Sequence, residues 1–354
     1  MGIGKTGNIL VNEMLNLDKR YIGLMVNSAI GDMSNLKNFK NTDHFLFAGQ
    51  DGSGRNRDVA KGFVKKRIQS LIDVLIKFQD QKVACIFCSS DGGTGSGSSL
   101  MIAKALKQAC SDKKIIICAA IPRLSENEIS LKNATEFWNE LIDAKNKKIV
   151  DTIYLIDNNK RHTYEEINDE ATKALDMAFS LNTFDNTGTI DQNDSNRVNT
   201  ATGYNFIMPL DKKYTNLQMA IDNSIKNSVF LPPPSYDCDY LGAVIQKEYY
   251  RLEDLRNKFD VFKVDYCAYS DSENLIVLSG LAVPRDGIDI IQVALKDTKE
   301  KNNAKYKEDD LYVKIKDEVV IEKDIDRGEN NSINTSTVSA KILENMFSDN
   351  FWND

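Results

Sequence analysis

Asp91-Gly92-Gly93-Thr94-Gly95-Ser96-Gly97-Ser98-Ser99 is the stretch whose reading decides the fold. An apolar run over residues 83–88 precedes it and reads as a buried strand. Residues 100–106 follow it and read as the body of a helix. Glycines supply positive φ angles and let a backbone come close to an anion, so consecutive N–H groups converge on one point. The helix N-terminus behind the loop adds its partial positive charge. Strand, glycine-rich loop and helix together predict a phosphate cradle.

Outward from this loop, apolar strand patterns at residues 21–26, 83–88, 115–121 and 152–156 alternate with helical patterns at 58–78, 98–110, 128–145 and 164–181. That alternation predicts βαβ units, hence an α/β fold with a largely parallel sheet and ligands at the carboxyl ends of its strands. The order then changes. A strand at 204–209, a helix at 216–228, the stiff Pro232-Pro233-Pro234, a strand at 240–247 and a helix at 250–258 follow. Residues 262–269 and 275–283 read as a hairpin around the polar turn 270–274. These elements predict a smaller α+β domain, with a helix from about Ile288 beyond it. The charged stretch 296–310 reads either as a solvated extension of that helix or as a linker. Residues 327–337 are polar and read as disordered. Ile342, Leu343, Met346, Phe347, Phe351 and Trp352 then fall near one helical face, which suits either a docking peptide or a last helix packed on its own domain. The expected boundaries are 1–182 for a nucleotide-binding domain with its core helix and 183–286 for the α+β domain. A C-terminal helix or extension at 287–322 and a tail at 323–354 complete the division.

The 354 residues are enough for about two domains. A net charge of −7 gives no general pull toward nucleic acid or an anionic membrane surface. No apolar run nears the roughly 20 residues that span a bilayer, and the opening residues do not read as a signal peptide. The expected location is the cytoplasm, since six cysteines in so long a chain make no disulfide scaffold. Cys85-x-x-Cys88 lies inside a strand pattern, and His44 and His162 are the only imidazoles. These cysteines therefore read as buried thiols rather than as a zinc or redox site.

The glycine loop resembles the tubulin signature of the tubulin/FtsZ superfamily, Gly/Ala/Ser-Gly-Gly-Thr-Gly-Ser/Thr-Gly. Asp91 stands in the first position and the other six match. The order of the surrounding elements strengthens the likeness, which extends over about residues 2–284. Gly2-Ile3-Gly4-Lys5-Thr6-Gly7-Asn8 followed by a helix resembles the family's first nucleotide loop. Gly4-Lys5-Thr6 also resembles the end of a P-loop, but that motif needs a glycine upstream of Met1 and a full strand before it. The second glycine loop separates the two readings, because a P-loop enzyme does not need one. The tubulin family also wants a strand ahead of the first loop, so the start of the sequence is left open.

By this resemblance GTP or GDP would be held by Gly4, Lys5, Thr6 and Asn8, and by Asn27 at the end of the next strand. Gly54, Arg55 and Asn56 would sense the γ-phosphate. Gly92, Gly93, Thr94, Gly95, Ser96 and Gly97 would cradle the phosphates. Glu126 would contact the ribose, Asn158 the sugar and base, and Asn168 the guanine. Mg2+ is the expected companion ion, and Asp91 either favours it or weakens phosphate binding. Relatives complete their site by assembly, through a loop ending in two acids that reaches the nucleotide of the next subunit. Asp191-Gln192-Asn193-Asp194 has that spacing, and Gly203-Tyr204 follows as in FtsZ. Two carboxylates three apart at a helix start share a face and can orient water or hold magnesium. The family's Asn before the first acid is Thr189 here, and Asn196 permits another alignment. The plain reading is that Asp194 caps a helix beginning near Ser195.

The resemblance thus implies a GTPase that assembles head to tail with itself. Its likeness is greatest to the plasmid- and phage-borne TubZ branch, whose filaments move DNA through a DNA-bound adaptor, TubR, docked on the tail. No direct DNA binding and no membrane partner are expected. A filament of FtsZ type acting in cell division and a non-polymerising nucleotide-binding regulator on the same fold are the alternatives. A dinucleotide enzyme would need Gly-x-Gly-x-x-Gly with an acid about 20 residues on, a pattern this chain lacks.

Overall fold

The computed structural model describes residues 1–47 and 52–309. The tail at 323–354, with its apolar face, lies outside them, as do Asp310 and the rest of the extension to residue 322. The chain divides into a compact unit, Met1–Leu295, and a second unit from Lys296 onward.

The first unit is built on one sheet of ten strands. Strands β1 (Gly2–Ile3), β2 (Leu24–Asn27), β3 (Asp43–Leu46), β4 (Val83–Ser89), β5 (Lys114–Ile121) and β6 (Thr152–Asp157) run parallel in the order β3-β2-β1-β4-β5-β6. The central strands carry near-continuous apolar runs because helices cover both faces. Cys88, Cys118 and the residues from Ile115 through Ile121 are buried accordingly. Helices α1 (Gly4–Leu17) and α6 (Tyr164–Phe179) pack together. So do α3 (Arg57–Leu75), α4 (Thr94–Ala109) and α5 (Glu128–Asn146), following the one-turn helix α2 (Gly31–Ser34).

Beyond α6 come α7 (Leu181–Phe184), α8 (Gln192–Asn199) and β7 (Gly203–Pro209). The boundary expected at 182 falls within α7. Strand β7 continues the same sheet, paired in parallel with β6 at Thr152–Gly203 and Ile153–Tyr204. Helix α9 (Leu217–Asn227), β8 (Cys238–Ile245), α10 (Leu252–Arg256), β9 (Val261–Tyr269) and β10 (Leu275–Leu281) complete this half in the order β7-β10-β8-β9.

The expected hairpin of residues 262–269 and 275–283 does not form. Strand β10 enters between β7 and β8, antiparallel to both, and β9 pairs with β8 in parallel at the sheet edge. Burial explains the choice. Leu275–Leu278 are fully buried and need a neighbour on each side, whereas residues 262–265 are exposed and suit an edge. The connection of residues 270–274 crosses the end of β8 and caps it. Ser270 N–H donates to the Ile245 carbonyl at 3.0 Å, and Gln246 N–H to Asn274 Oδ1 at 2.7 Å.

Helix α11 (Arg285–Asp309) begins three residues earlier than expected. In the first unit it buries Ile288 and Ile291. In the second unit the helix runs on to Asp309, with residues 296–305 exposed or half-buried, which decides against a linker over residues 296–309. Among the described residues no helix is long and apolar enough to cross a membrane.

Candidate functional site

In an open parallel sheet, a ligand crevice forms outside the strand ends where the winding direction reverses. Here that point lies between β1, whose chain winds on to β2, and β4, whose chain winds on to β5. The helices following these two strands, α1 and α4, both start there. The expected first loop is a helix start instead: α1 begins at Gly4, directly after Ile3. Turning from strand to helix without a spacer needs a positive φ, and Gly4 has φ +73°. Helix α4 likewise begins inside the signature, at Thr94 rather than at Ser98. The two starts touch: a Cβ placed on Gly4 would lie 2.9 Å from the Gly95 nitrogen. Each helix start leaves its first N–H groups without intrahelical acceptors. Their pooled dipoles make one anion-binding corner.

That corner opens on a cavity of about 1010 Å³. Of the residues singled out in the sequence, the structure brings Gly4, Lys5, Thr6, Asn27, Gly54, Arg55, Gly92, Gly93, Thr94, Gly95, Glu126, Asn158 and Asn168 to its wall. Four predicted residues stand behind the wall. Asn8 is buried and donates from Nδ2 to the Val26 carbonyl at 3.1 Å, tying α1 to β2. Asn56 is the N-cap of α3, its Oδ1 accepting from the N–H groups of Asp58 and Val59. Such a cap is worth about 1 kcal/mol to the helix. Ser96 is buried and its hydroxyl donates to the Gly92 carbonyl. Gly97 lets α3 approach α4, since a Cβ there would sit 2.5 Å from the Arg57 carbonyl oxygen.

The cavity also holds residues to which the sequence assigns no role of their own. Ser28 Oγ lies 2.7 Å and Ser53 Oγ 3.2 Å from Thr94 Oγ1, so three hydroxyls from three segments meet. Tyr164, the first residue of α6, lines the cavity one turn from Asn168. Its hydroxyl donates to Glu126 Oε1 at 3.2 Å, and the Arg123 guanidinium lies 4.5 Å from its ring centre. Burial and the neighbouring Glu126 carboxylate both push the Tyr164 phenol up from its ordinary range. The i, i+4 spacing of Tyr164 and Asn168 was a readable signal for a shared face.

The charges lining the cavity do not favour an anion. Glu13, Asp32, Asp91, Glu126, Glu165 and Asp169 outnumber Lys5 and Arg55. Arg55, moreover, is turned to Glu126 at 3.4 Å and to the hydroxyl of Ser130. An anion in this cavity would meet chiefly the peptide N–H groups of the two helix starts, with Lys5 beside them. Burial pushes the Asp91 carboxyl up, opposed by the hydrogen bond it accepts from the Ser89 hydroxyl. No group of three or more His, Cys, Asp or Glu able to hold a metal exists among the described residues. Cys85 and Cys88 are free thiols that burial pushes up to about 12.

Asp191 and Asp194 do not line the cavity. They sit at the start of α8, where the cap is Asp191 and not Asp194, and the helix begins at Gln192 rather than near Ser195. Asp191 Oδ1 accepts from the N–H groups of Asn193 and Asp194, and Asp194 Oδ2 accepts from Asp191 N–H at 3.2 Å. This reciprocal box fixes both carboxylates on a helix start, with Asp191 exposed. The loop leading to it is organised by Asp185, whose carboxylate accepts from Thr187 N–H, the Thr187 hydroxyl and Ile190 N–H.

A doubly wound parallel sheet with two helix starts converging at its switch point is a nucleotide-binding architecture. Residues 1–165 match the description "Tubulin/FtsZ family, GTPase domain", and this part of the chain is a GTPase domain of that family. The chain is 24% identical over 296 residues to "Tubulin-like protein TubZ" of Clostridium botulinum C phage, covering 83% of this chain and 82% of the relative. The crystal structure of Clostridium botulinum phage c-st TubZ superposes with a TM-score of 0.77 at 22% identity, covering 84% of this chain and 96% of that one. A GTPγS-form protofilament of Bacillus thuringiensis serovar israelensis TubZ gives a TM-score of 0.71 at 15% identity, covering 87% of this chain and 93% of that one.

Proposed function

We propose that this chain forms filaments by head-to-tail assembly and hydrolyses GTP at the contact between copies, as a protein of TubZ type. The observation that carries the reading is the pairing of an anion-binding corner at Gly4 and Thr94–Gly95 with an acidic pair outside that corner, at Asp191 and Asp194. One copy then offers nucleotide and another offers the acids. The protofilament form of a TubZ with the same fold supports this arrangement. Head-to-tail contact is heterologous and generates open filaments.

In this reading the first turns of α1 and α4 hold the phosphates, with the Thr94 hydroxyl beside them. Gly54 and Arg55 meet the γ-phosphate. Glu126 faces the ribose, and Asn158, Asn168 and the Tyr164 ring recognise the base. The oxygen donors on this wall suit Mg2+ bound together with the triphosphate: Asp32 and the hydroxyls of Ser28 and Thr94 would hold it. The ion would neutralise charge on the phosphates. Asp191 and Asp194 of the neighbouring copy orient the attacking water, since phosphoryl transfer rests mainly on positioning and charge stabilisation.

Sedimentation at high protein concentration tests assembly: a pellet is expected with GTP and not with GDP. No GTP-dependent pellet sinks the filament reading. Asp194→Ala should keep GTP binding, slow turnover about 10²- to 10³-fold, a loss typical of one positioned catalytic group, and give longer-lived filaments. Unchanged turnover in the assembled state removes Asp194 from the mechanism. DNA segregation through a TubR-like adaptor at residues 323–354 rests on the likeness to TubZ. Deletion after Arg327 should spare assembly and abolish adaptor binding, and loss of assembly would count against a docking tail.

A further inference from the structure

Helix α5 contributes nothing to the cavity wall, yet it carries a polar stripe directly behind it. Ser130, Asn133, Glu136 and Glu140 share one face by their spacing. Ser130 accepts from the Arg55 guanidinium, and Glu136 and Glu140 bind the buried Arg57 at 3.1 and 2.6 Å. Between them, Asn133 is 6% exposed. Its Nδ2 donates to the Arg55 carbonyl at 2.8 Å, the Asp91 carbonyl at 3.0 Å and the Gly92 carbonyl at 3.4 Å. One amide therefore joins the segment 52–56 to the glycine loop.

We propose that Asn133 is a positioning residue that sets the outer-phosphate end of the site, a role that rests on the nucleotide reading above. A trans peptide points its carbonyl and the following N–H in opposite directions. By drawing the Gly92 carbonyl toward α5, Asn133 presents the Gly93 N–H away from α5, and Gly93 lines the cavity. By holding the Arg55 carbonyl, it also fixes a non-glycine residue at φ +61°, a conformation that surrounding contacts must enforce. The two loops differ in how else they are held. The glycine loop runs into α4 and is braced by the hydroxyls of Ser89 and Ser96. Ser53, Gly54 and Arg55 are held at the surface, with Gly54 and Arg55 exposed, by the Ser53–Thr94 contact, the turn from Asn56 N–H to the Ser53 carbonyl, the Arg55–Glu126 pair at 3.4 Å and the contacts to α5, whereas Gly93–Ser99 are buried. Loss of Asn133 thus releases the 52–56 segment first, and with it the part of the ligand that GTP has and GDP lacks.

The test compares wild type, Asn133→Ala and Asn133→Ser, as full-length protein kept below its assembly concentration. Kd values for GTPγS and for GDP are measured, with melting curves recorded without nucleotide. Asn133→Ala should weaken GTPγS roughly tenfold, the scale of one or two buried hydrogen bonds, and GDP less than about threefold. Asn133→Ser keeps one donor and should fall between it and wild type. It also carries the test if the alanine variant does not fold. Equal weakening of both nucleotides, or no change in either, overturns the positioning role. A wild-type chain that binds neither nucleotide overturns the functional reading itself.

Discussion

Replacing Gly93 by alanine should separate the two loops from the other side. Gly93 has φ −84° and ψ −60°, an ordinary right-handed conformation, so the backbone accepts alanine without strain. The obstacle is space. The new Cβ would lie 2.1 Å from Ser53 Oγ and 2.9 Å from both the Cα and the carbonyl carbon of Arg55. The serine hydroxyl can rotate away, but the Arg55 backbone cannot. It must retreat by roughly 0.6–1.1 Å to reach the ~3.5–4.0 Å of ordinary carbon contact. Overpacking of this kind costs about 1–3 kcal/mol. In the free protein the segment relieves the clash by moving outward. GTP must pull it back, so the same energy is subtracted from binding. A loss of about 1.4 kcal/mol per tenfold puts the weakening near 5- to 150-fold. GDP does not reach the displaced segment and should lose less than about threefold. Competition against a fluorescent guanine nucleotide, below the assembly concentration, measures both. Unchanged GTPγS affinity would show that the segment does not touch the γ-phosphate. An equal loss for GDP would show that the glycine loop, not Arg55, had moved.

Other substitutions probe the remaining supports. Gly7→Ala puts a Cβ 2.1 Å from the Phe87 carbonyl oxygen and should destabilise the whole fold by about 3 kcal/mol or more, read as a large fall in urea midpoint. A midpoint near wild type would refute the close packing of α1 on β4. Asp91→Asn keeps an acceptor for Ser89 and removes a charge that burial disfavours. It should raise stability at neutral pH and tighten GDP binding in a chelator, with the difference narrowing in Mg2+. Weaker binding without the ion would reverse the assignment of Asp91 as an anion-repelling group. Asp185 is partly desolvated, which raises its pKa, but hydrogen bonds from Thr187 and Ile190 outweigh this and hold its carboxyl below the usual range. Its stabilisation is therefore present above the unfolded value near 4 and is lost as pH falls through the lower folded value. Asp185→Asn should flatten that acid limb in pH-dependent urea unfolding, and an unchanged limb would dismiss the effect.

The parallel half of the fold was legible because strands buried on both faces are written as unbroken apolar runs, as at Ile115–Ile117. Strand β1 was not, since two residues carry no periodicity and its pairing to β2 and β4 is a property of the assembled sheet. The start of α4 was set too late because glycine and serine have low helix propensity. Close packing against Arg57 and Ile3 overrides it at Gly97 and Gly95. The false hairpin had a readable warning: Leu275–Leu278 is too apolar for a strand with only one neighbour. The signature marks the turn where the two helix starts meet, and the element order brings Asn158 and Asn168 to the same cavity wall. Ser28 and Ser53 lie in the loops that the resemblance marks, but their own role was not readable because they join Thr94 only in space. The capping role passed from Asp194 to Asp191 because either acid, read alone, suits a helix start.

The meeting of Gly4 with Gly95 has a further consequence for how such a site tolerates change over time. Recognition by peptide groups stores its information as missing atoms rather than as chosen side chains. Positions with room around them are then free to drift, as at Gly92, where an added Cβ would meet nothing nearer than Ser89 Oγ at 3.4 Å. The few that cannot drift are those where a single methyl would fill the space between two backbones. A chain of this kind can diverge over most of its length and keep the corner intact, so long as those gaps stay empty.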